Sequence, residues 1–336
     1  AGTPNPFLIT SETGLVAGTS PGNIAADGTA GTGVSSPFTN GSVPNEFPKG
    51  FAAFYAMKYE ISQGIYKEFL NKLTRNQQQG RFPSVTVGHY LNNAATPTFR
   101  NGVRLIADPG GASPREYAND LNNNGVINEP DDGEFIACNW LSWEDVRAFA
   151  DWAGLRPMTE LEYEKLARGT LSPVSGELAW GNNTDVNQAT TIVNAGQSNE
   201  LAGNTPSNFN GLNVTTVNGP MRVGCFATSA SNRVQSGGSY FGAMDMSGNV
   251  EEYYLAMHSA SGSWSFNGSR HGDGVLTAAG AADEPTWPTS ANVRRGGGWS
   301  TTVANQVQFA VSSRVLGGNT TGRTNNLGGR LGRTAL

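Results

Sequence analysis

Apolar residues at helical spacing predict a first helix that begins after Ser62. A serine is a favourable N-cap, because its hydroxyl accepts a hydrogen bond from a free backbone N–H in the first turn. The segment upstream, FAAFYAMKYEIS from Phe51, mixes aromatic and alternating positions and is typical of a half-buried strand. The apolar stripe of the predicted helix consists of Ile65, Tyr66, Phe69, Leu70 and Leu73.

A second predicted helix follows Ser142, and its start is marked more strongly. Asp145 stands three residues after the serine, so the two form a capping box, and Gly154 supplies the stop. One face of the segment WEDVRAFADWAG is apolar at helical spacing. That stripe consists of Trp143, Val146, Phe149, Ala150 and Ala153.

A third helix is predicted from Thr159 to Arg168. Thr159 and Glu162 form another capping box, and Gly169 ends the pattern. Beyond Gly169 no long helical period follows, and short segments alternate with turns rich in Gly, Asn, Ser and Thr up to Leu336. The 44 glycines fit a fold with many tight turns. The pattern therefore predicts a loop-rich α+β domain whose helices come early.

The first 48 residues differ in composition from the rest of the chain. They are dominated by Gly, Thr, Ser, Pro and Asn, and Gly14–Ser42 holds few apolar residues that could anchor it. We expect residues 1–48 to form an extended N-terminal arm, which either lies on the body or leads flexibly into it. Residues 49–336 are expected to form one domain with an insertion around residues 104–136.

Composition and charge exclude several classes of protein. The net charge is −5 and no basic stripe is present, so a nucleic-acid-binding surface is not expected. No polybasic segment marks a membrane surface, and no apolar run reaches the length of a transmembrane helix. Seven Trp, nine Tyr and fifteen Phe are enough for a sizeable core, which argues against a disordered chain.

The two cysteines, Cys138 and Cys225, leave two interpretations open. They either form one disulfide or remain buried free thiols, and sequence alone does not decide between these states. The chain opens with AGTPNPFLIT, which has neither the charged nor the apolar region of a signal peptide. We interpret this opening as a mature N-terminus left by export, although a trimmed chain would look the same. A secreted or cell-surface protein is therefore expected.

Residues 120–131, DLNNNGVINEPD, match the spacing of a twelve-residue calcium loop. Oxygen-bearing residues fall at the ligand positions, and Gly125 stands where the chain must turn sharply. Calcium prefers hard oxygen ligands, which this spacing would wrap around one point. The alternative is a polar Asn/Gly loop that matches by chance. The predicted ligands are Asp120, Asn122, Asn124, the carbonyl of Val126, Asn128 and Asp131.

The predicted calcium loop carries little charge. Only Asp120 and Asp131 among its predicted side-chain ligands are charged, so we expect weak affinity, suited to extracellular calcium at about millimolar concentration. No full pair of predicted helices encloses the loop, and a calcium-triggered switch is therefore not expected. We expect bound calcium to stiffen the structure rather than to take part in chemistry.

Six motifs follow one another along residues 51–335. They are YEISQGIYKEFL at 59–70, NWLSWEDVRAFADWAGLRPMTELEYEKLARG at 139–169, AWGNN at 179–183, FGAMDMSGNVEEYY at 241–254, RRGGGWS at 294–300 and NLGGRLGR at 326–333. In this order they resemble the formylglycine-generating-enzyme (sulfatase-modifying-factor) family. The resemblance implies a formylglycine-generating-enzyme-like fold, which is a decorated C-type-lectin-like fold rich in loops.

The same motifs hold large and charged side chains with expected structural roles. Tryptophans are large core fillers, and an arginine in apolar surroundings is expected to pair with a buried acceptor. The expected core tryptophans are Trp143, Trp152, Trp180 and Trp299, and the expected buried arginines are Arg295 and Arg330. The family's Gly-Asn motif also helps to bind calcium, so the resemblance implies a second calcium site. Its ligands would be Asn194, Asn249, the carbonyl of Val250 and Glu252.

The residues do not support the family's copper chemistry. Family enzymes hold copper with two cysteines near the C-terminal end, and Cu(I) requires soft thiolates. Aligning VSSR at 311–314 with the family's Cys-Ala-Ala-Arg puts Val311 at one cysteine and a residue near Gln306 at the other. A related branch uses a histidine cluster, whereas His89, His258 and His271 are scattered here. No catalytic residue is therefore predicted, and calcium is the only expected cofactor.

We therefore expect a non-enzymatic extracellular protein stabilised by calcium. One hypothesis is a subunit of a surface or filamentous assembly, because the arm could pair with a neighbour's sheet edge. A second is a lectin-like or variable-region ligand-binding protein, because some relatives are variable binding proteins of diversity-generating retroelements, with varied residues corresponding to Trp299–Asn326. A divergent enzyme of the sulfatase-modifying family is the third. Expected partners are copies of the chain, other surface proteins or glycans.

Overall fold

The α-helices of the described chain lie in its first half, as the apolar spacing predicts. The structure is a computed structural model that describes residues 7–18, 23–24, 41–257, 263–316 and 320–335. The α-helices in these residues are α1 (Gln63–Lys72), α2 (Arg75–Arg81), α3 (Trp143–Trp152) and α4 (Glu160–Arg168). Two short 3-10 helices follow, at Ser263–Ser265 and Val303–Phe309. Within these ranges no helix has the length and apolar character needed to cross a membrane.

Short strands form small sheets around the helices. They are β1 (Val16–Ala17), β2 (Gly41–Ser42), β3 (Phe54–Ala56), β4 (Val103–Ala107), β5 (Glu116–Asn119), β6 (Ile192–Val193), β7 (Leu201–Ala202), β8 (Glu251–Leu255), β9 (Asn292–Arg295), β10 (Leu327–Gly328) and β11 (Gly332–Thr334). In one sheet β8 pairs in parallel with β10 and antiparallel with β9. The others are antiparallel pairs, β1–β2, β3–β11, β4–β5 and β6–β7. The predicted α+β, loop-rich class is confirmed.

The three predicted helices begin at the residues that capping chemistry selects. Ser142 Oγ accepts from Asp145 N at 3.2 Å, and Asp145 Oδ2 accepts from Ser142 N at 2.8 Å. Thr159 and Glu162 make the same reciprocal pair of bonds at 3.1 and 2.9 Å. Ser62 caps α1 with a single bond of 3.3 Å. These local bonds satisfy backbone N–H groups that the first turn leaves free.

Two details of the helices depart from the pattern. The sequence does not predict α2, because RNQQQGR carries no apolar stripe. Tertiary contacts hold α2 instead, since the buried Gln78 amide donates to Leu70 O at 3.1 Å and to Arg115 O at 2.9 Å. Ile65 was predicted to face the core with the rest of its stripe, but it is 45% exposed. It lies at the edge of α1 that borders a surface cleft.

The main core lies between α1 and α3. Phe69 of α1 contacts Phe149 and Trp152 of α3, with ring centroids 5.6 and 5.4 Å apart. Removing such apolar surface from water supplies the main favourable free energy of folding. Of the four tryptophans predicted as core fillers, Trp152 is only half-buried. The other three, Trp143, Trp180 and Trp299, are buried as predicted.

Buried ion pairs connect α4 and β8 to the C-terminal part of the chain. Arg295 on β9 pairs with Glu160 at 2.9 Å and with Glu164 at 3.0 Å, both on α4. Arg330 pairs with Glu252 of β8 at 2.7 Å. The prediction that both arginines meet buried acceptors is confirmed. Because these groups are desolvated, losing one partner would leave a buried charge uncompensated.

The N-terminal segment lies on the body wherever it is described. β1 pairs with β2, and Ile9, Leu15 and Phe47 are buried in a cluster with Leu161 of α4. These contacts favour the first of the two expected arrangements, an arm that packs on its own domain. The remaining parts of the predicted arm, residues 1–6, 19–22 and 25–40, are outside the described ranges.

Both cysteines are buried free thiols. Cys138 lies in the main core, whereas Cys225 belongs to a separate cluster with Met221 and Phe226. Burial raises the pKa of each thiol well above its ordinary value. A protonated thiol away from solvent is a poor nucleophile and a poor metal ligand. Of the two interpretations left open by the sequence, the structure agrees with buried free thiols.

Candidate metal centre

A β-hairpin positions the predicted calcium loop. β4 pairs with β5, and the loop starts where β5 ends. Asp120 is tied to the base of this hairpin, because its N–H donates to Gly102 O at 2.9 Å and its carbonyl accepts from Tyr90 OH at 2.9 Å. Gly102 lies so close to the loop that a Cβ there would be 2.9 Å from Leu121 N. Backbone contacts therefore fix where the loop begins.

The middle of the loop is exposed, and hydrogen bonds from its own side chains stabilise its turns. Gly125 has a φ of +82°, a region that favours glycine, so the predicted sharp turn is confirmed. Asn122 Oδ1 accepts from Asn124 N at 3.0 Å, and Asn124 Oδ1 accepts from Val126 N at 2.7 Å. Asn128 is exposed with a φ of +67°. These four predicted ligands therefore shape the outer turn.

The closing end of the loop gathers three carboxylates. Glu129, Asp131 and Asp132 each offer one oxygen, and these oxygens lie within 4.8 Å of one another. Asp132 Oδ2 also accepts from Glu129 N at 2.8 Å, which holds these two residues together. Of these three residues, the calcium-loop spacing assigned only Asp131 as a ligand. The structure adds Glu129 and Asp132 as candidate ligands, and the acid-rich run EPDDGE at 129–134 was the signal that could have found them.

Two buried carboxylate oxygens at this centre have no hydrogen-bond partner in the described part of the chain. Asp120 and Asp132 are 0% exposed, and Oδ1 of each is unpaired. Burial raises the pKa of Asp132, and the charges of Asp120, Glu129 and Asp131 add to this effect. Unpaired buried anions cost free energy, which a divalent cation would offset. Because the donors are hard oxygens, they fit calcium rather than a soft metal.

The charge of this centre differs from the sequence-based expectation. The calcium-loop spacing assigned two charged ligands, whereas the structure brings four carboxylates into the loop and its closing turn. Among the described residues, the only ion pair to any of them joins Arg104 to Asp120. Calcium affinity rises with the number of charged ligands. The weak affinity expected from two charged ligands stays a prediction, and it would rise if Glu129 and Asp132 also bind the ion.

A second hairpin, β6–β7, braces the closing end of the loop. Gly133 N donates to Gly196 O at 3.1 Å, and a Cβ at Gly196 would lie 2.3 Å from Asp131 O. Gly196 N donates in turn to Glu200 Oε2 at 2.7 Å. Asn194, a predicted ligand of the second calcium site, is exposed in the same hairpin turn. The backbone of the predicted calcium loop is therefore held from both sides.

Two side chains of the second predicted calcium site, Asn249 and Glu252, are engaged with protein partners. Asn249 Oδ1 accepts from a backbone N–H at 2.7 Å and from an amide at 3.2 Å. Val250 N donates to Glu60 Oε1 at 3.1 Å. Glu252 pairs with Arg330 and also accepts a tyrosine hydroxyl. Because the side-chain oxygens of Asn249 and Glu252 already have protein partners, we take residues 120–132 as the stronger candidate, and the second calcium site stays a prediction.

The positions that hold copper in family enzymes carry no thiol here. Val311 is fully buried among apolar side chains, and Gln306 is exposed on the second 3-10 helix. His89 bonds a serine hydroxyl at 3.1 Å, and His271 accepts from a backbone N–H at 3.0 Å. His258 lies outside the described ranges. The side chains at 311 and 306 offer copper no thiolate.

A further acidic cluster joins Asp151 at the end of α3 to Asp273 and Asp283. The buried Asp151 carboxylate accepts from Asp273 N at 3.2 Å and from Asp283 N at 2.9 Å. Both of its oxygens therefore have backbone partners. We interpret Asp151 as an anchor for two loops, because its carboxylate already accepts hydrogen bonds from a peptide N–H group of each loop.

Comparison with known proteins matches the chain to one family. The model of the "Sulfatase-modifying factor enzyme 1-like domain" matches residues 21–335, so the match begins within the predicted arm. Solved structures that align with the chain include PvdO from Pseudomonas aeruginosa, at 17% identity and a TM-score of 0.39, covering 84% of this chain and 80% of PvdO. Treponema denticola variable protein 1 aligns at 14% identity and a TM-score of 0.37, covering 84% of each chain. No curated protein gave a significant match.

Proposed function

The chain belongs to the sulfatase-modifying factor enzyme 1-like domain family, and we propose that it is a non-catalytic, calcium-stabilised extracellular protein that builds a surface or filamentous assembly. Membership in the family identifies the scaffold. It does not identify the activity, because one fold carries many functions. The proposal therefore depends on the side chains that this chain places at the family's reactive positions and on its surface.

The chemistry at residues 306 and 311 supports the non-catalytic part of the proposal. The amide of Gln306 and the isopropyl group of Val311 are unable to hold Cu(I), which requires soft thiolates. The chain's own thiols are buried in separate clusters and their pKa values are raised. We expect copper-loaded protein to oxidise a cysteine-containing sulfatase peptide no faster than free copper does. A clear excess over that background would contradict the proposal.

An exposed aromatic pair supports the assembly part of the proposal. Tyr240 and Phe241 pack edge to face, with ring centroids 4.9 Å apart, and remain 41% and 57% exposed. Tyr240 is seated against Gly169 at the end of α4, where a Cβ would lie 2.2 Å from its ring. Rigid aromatic side chains supply much of the binding energy at protein interfaces. The pair therefore offers a preformed contact for a neighbouring subunit.

Imaging tests the assembly directly. We expect concentrated protein with calcium to form filaments or ordered arrays in negative-stain electron microscopy, and large species in light scattering after gel filtration. Phe241→Ser should shift the population to monomers, whereas Val303→Ser, which changes a residue that is 63% exposed elsewhere, should not. Wild-type protein that stays monomeric under all these conditions would contradict the proposal. Assembly that Phe241→Ser leaves intact would exclude the aromatic pair as the contact.

A ligand-binding surface protein is the second candidate function. The observation that favours it is a surface cleft beside α1, lined by the exposed side chains of Tyr59, Ile65 and Phe135. Exposed apolar groups gathered in a concave site are typical of a place where small molecules bind. The two functions are compatible, because the cleft and the Tyr240–Phe241 pair involve different residues.

A further inference from the structure

A cleft of about 630 Å³ lies where the strand-to-helix segment 57–68 meets two other parts of the chain. Its opposite walls are residues 134–135, which follow the metal loop, and residues 222–223. Its volume falls within the range of pockets that bind small organic ligands. Neither the family's copper positions nor the candidate metal ligands line this cleft.

Three apolar side chains in the cleft are unusually exposed for their size. Tyr59, Ile65 and Phe135 are 38%, 45% and 46% exposed. The Tyr59 ring packs on Gly224, where a Cβ would lie 2.5 Å from it, so the ring has little freedom to turn inward. Ile65 leaves the core stripe of α1 to face this cleft. An apolar ligand would cover surface that the protein itself leaves in contact with water.

Three acids and three cations line the cleft, and they are not all paired with one another. Lys67 pairs with Glu134 at 2.6 Å and with Glu68 at 3.3 Å. Glu60 is 1% exposed, and both of its oxygens accept hydrogen bonds from Asn249 Nδ2 and Val250 N. The acids of the cleft are therefore engaged with protein partners. The remaining cations are Lys58 and Arg222.

Lys58 and Arg222 have no carboxylate partner among the described residues. Lys58 is exposed, and its Nζ lies 5.4 Å from the centroid of the Tyr59 ring. Arg222 Nε donates to Glu200 O at 2.8 Å, and Nη1 donates to Val223 O at 3.3 Å. These backbone bonds hold the guanidinium group at the wall, so part of the entropy cost of binding an anion is removed in advance.

We propose that this cleft binds a small amphiphilic carboxylate. The apolar body of the ligand lies against Tyr59, Ile65 and Phe135, and its carboxylate meets Arg222 and Lys58. Planar guanidinium groups bind carboxylates through paired hydrogen bonds, which makes Arg222 the main selective contact. This binding site goes beyond the proposed assembly function and does not depend on whether the protein assembles.

A series of ligands with one body and three head groups tests the proposal. Isothermal titration of the full chain with 4-phenylbutanoate, 4-phenylbutanamide and 4-phenylbutylamine compares an anion, a neutral amide and a cation. We expect the carboxylate to bind about tenfold more tightly than the amide, and the amine to bind most weakly. Arg222→Gln should remove the preference for the carboxylate over the amide. Lys58→Gln should reduce it, and the exposed position of Lys58 makes misfolding of this variant a minor concern.

Matched variants separate the cleft from general charge and folding effects. Lys72→Gln removes an exposed cation outside the cleft and should leave the carboxylate preference unchanged. Ile65→Ser should lower the affinity for all three ligands by a similar factor, because it removes part of the apolar wall. Two results would overturn the proposal. One is equal binding of acid and amide by the wild-type chain, and the other is no saturable binding of the acid up to about 10 mM, the weak limit for a ligand of this size.

Discussion

We expect calcium binding to depend most on Asp120 and Asp132. Each holds a carboxylate oxygen away from water without a hydrogen-bond partner among the described residues, which native proteins tolerate mainly at functional sites. The exposed amides of Asn122 and Asn124 instead bond the backbone of their own turn. We therefore expect the buried acids to contribute more to metal affinity than the exposed amides.

Asp132→Asn should remove the calcium-dependent part of the protein's stability. At about 10 to 100 times its Kd, calcium that binds only the folded state adds about 1.4 to 2.7 kcal/mol to the free energy of unfolding. For a domain of this size the gain corresponds to a rise of a few degrees in Tm. The variant keeps the shape of the side chain but loses its charge, so this rise should fall close to zero in differential scanning calorimetry.

The control for this experiment is Asp185→Asn, which neutralises an exposed acid away from the metal loop. It should keep the full calcium-dependent rise in Tm. A wild-type Tm that responds to neither calcium nor chelator would contradict calcium stabilisation as a whole. A full response in Asp132→Asn would show that the ion binds without this carboxylate.

Asp245 is a buried carboxylate, and we expect its titration to affect stability in mildly acidic solution. Burial raises its pKa from 3.8 to about 6, although the Gly224 N–H and the charge of Arg330 act in the opposite direction. The folded state therefore binds this proton more tightly than the unfolded state. By linkage, the stabilising effect of protonation is complete below pH 3.8 and is lost as the pH rises to about 6.

Asp245→Asn should remove this loss of stability. Relative to wild type, the variant should gain about 1 to 3 kcal/mol in free energy of unfolding as the pH rises from about 4 to about 7. Urea denaturation at a series of pH values measures this difference. Asp185→Asn again serves as the exposed control and should track wild type. Parallel curves for wild type and Asp245→Asn would show that the buried carboxylate does not titrate in this window.

At the scale of elements, α4 is held by buried charge as well as by apolar packing. Glu164 pairs with Arg295 on β9 and with Arg314 and Arg168. Burial alone would raise the pKa of Glu164, but Arg314 and Arg295 outweigh it and lower the pKa. The carboxylate therefore stays ionised and links one helix to two later parts of the chain.

Glu164→Gln should destabilise the protein strongly, because it leaves buried arginines without their counter-charge. We expect a loss of about 3 to 5 kcal/mol in the free energy of unfolding, measured by urea denaturation. Glu116→Gln neutralises an exposed acid on β5 and should cost less than about 0.5 kcal/mol. A loss below about 1 kcal/mol for Glu164→Gln would mean that the network relaxes around the missing charge.

At the scale of the whole molecule, the candidate metal centre and the cleft share a stretch of backbone. Glu134 and Phe135 line the cleft only two and three residues after Asp132. Glu134 O accepts from Gly64 N at 2.8 Å, so the same stretch also contacts the start of α1. A well-ordered calcium loop should therefore stabilise the observed conformation of the cleft wall.

Removing calcium should accordingly weaken ligand binding in the cleft. Titration of wild-type protein with 4-phenylbutanoate in excess chelator should give an affinity several-fold lower than in saturating calcium. Asp132→Asn should show the lower affinity under both conditions. Equal affinities for wild type with and without calcium would show that the two sites are independent, while leaving the carboxylate site itself intact.

Features that depend on near neighbours along the chain can be predicted from the amino-acid sequence alone. The N-caps at Ser62, Ser142 and Thr159 bond residues three positions away, and Gly125 turns within its own loop. Six ordered motifs also identified the family. Export, partners and bound calcium stay predictions, because none of them follows from the contacts of one chain.

Where distant segments meet depends on how the whole chain packs. α2 lacks an apolar stripe and is held by contacts from elsewhere, and Ile65 is exposed because its edge of α1 borders a cleft made by segments far apart in sequence. Glu129 and Asp132 entered the metal centre through the folding of its closing turn. Local bonds form within a few residues and can be read along the chain. The surroundings of a buried charge depend on every segment that packs around it.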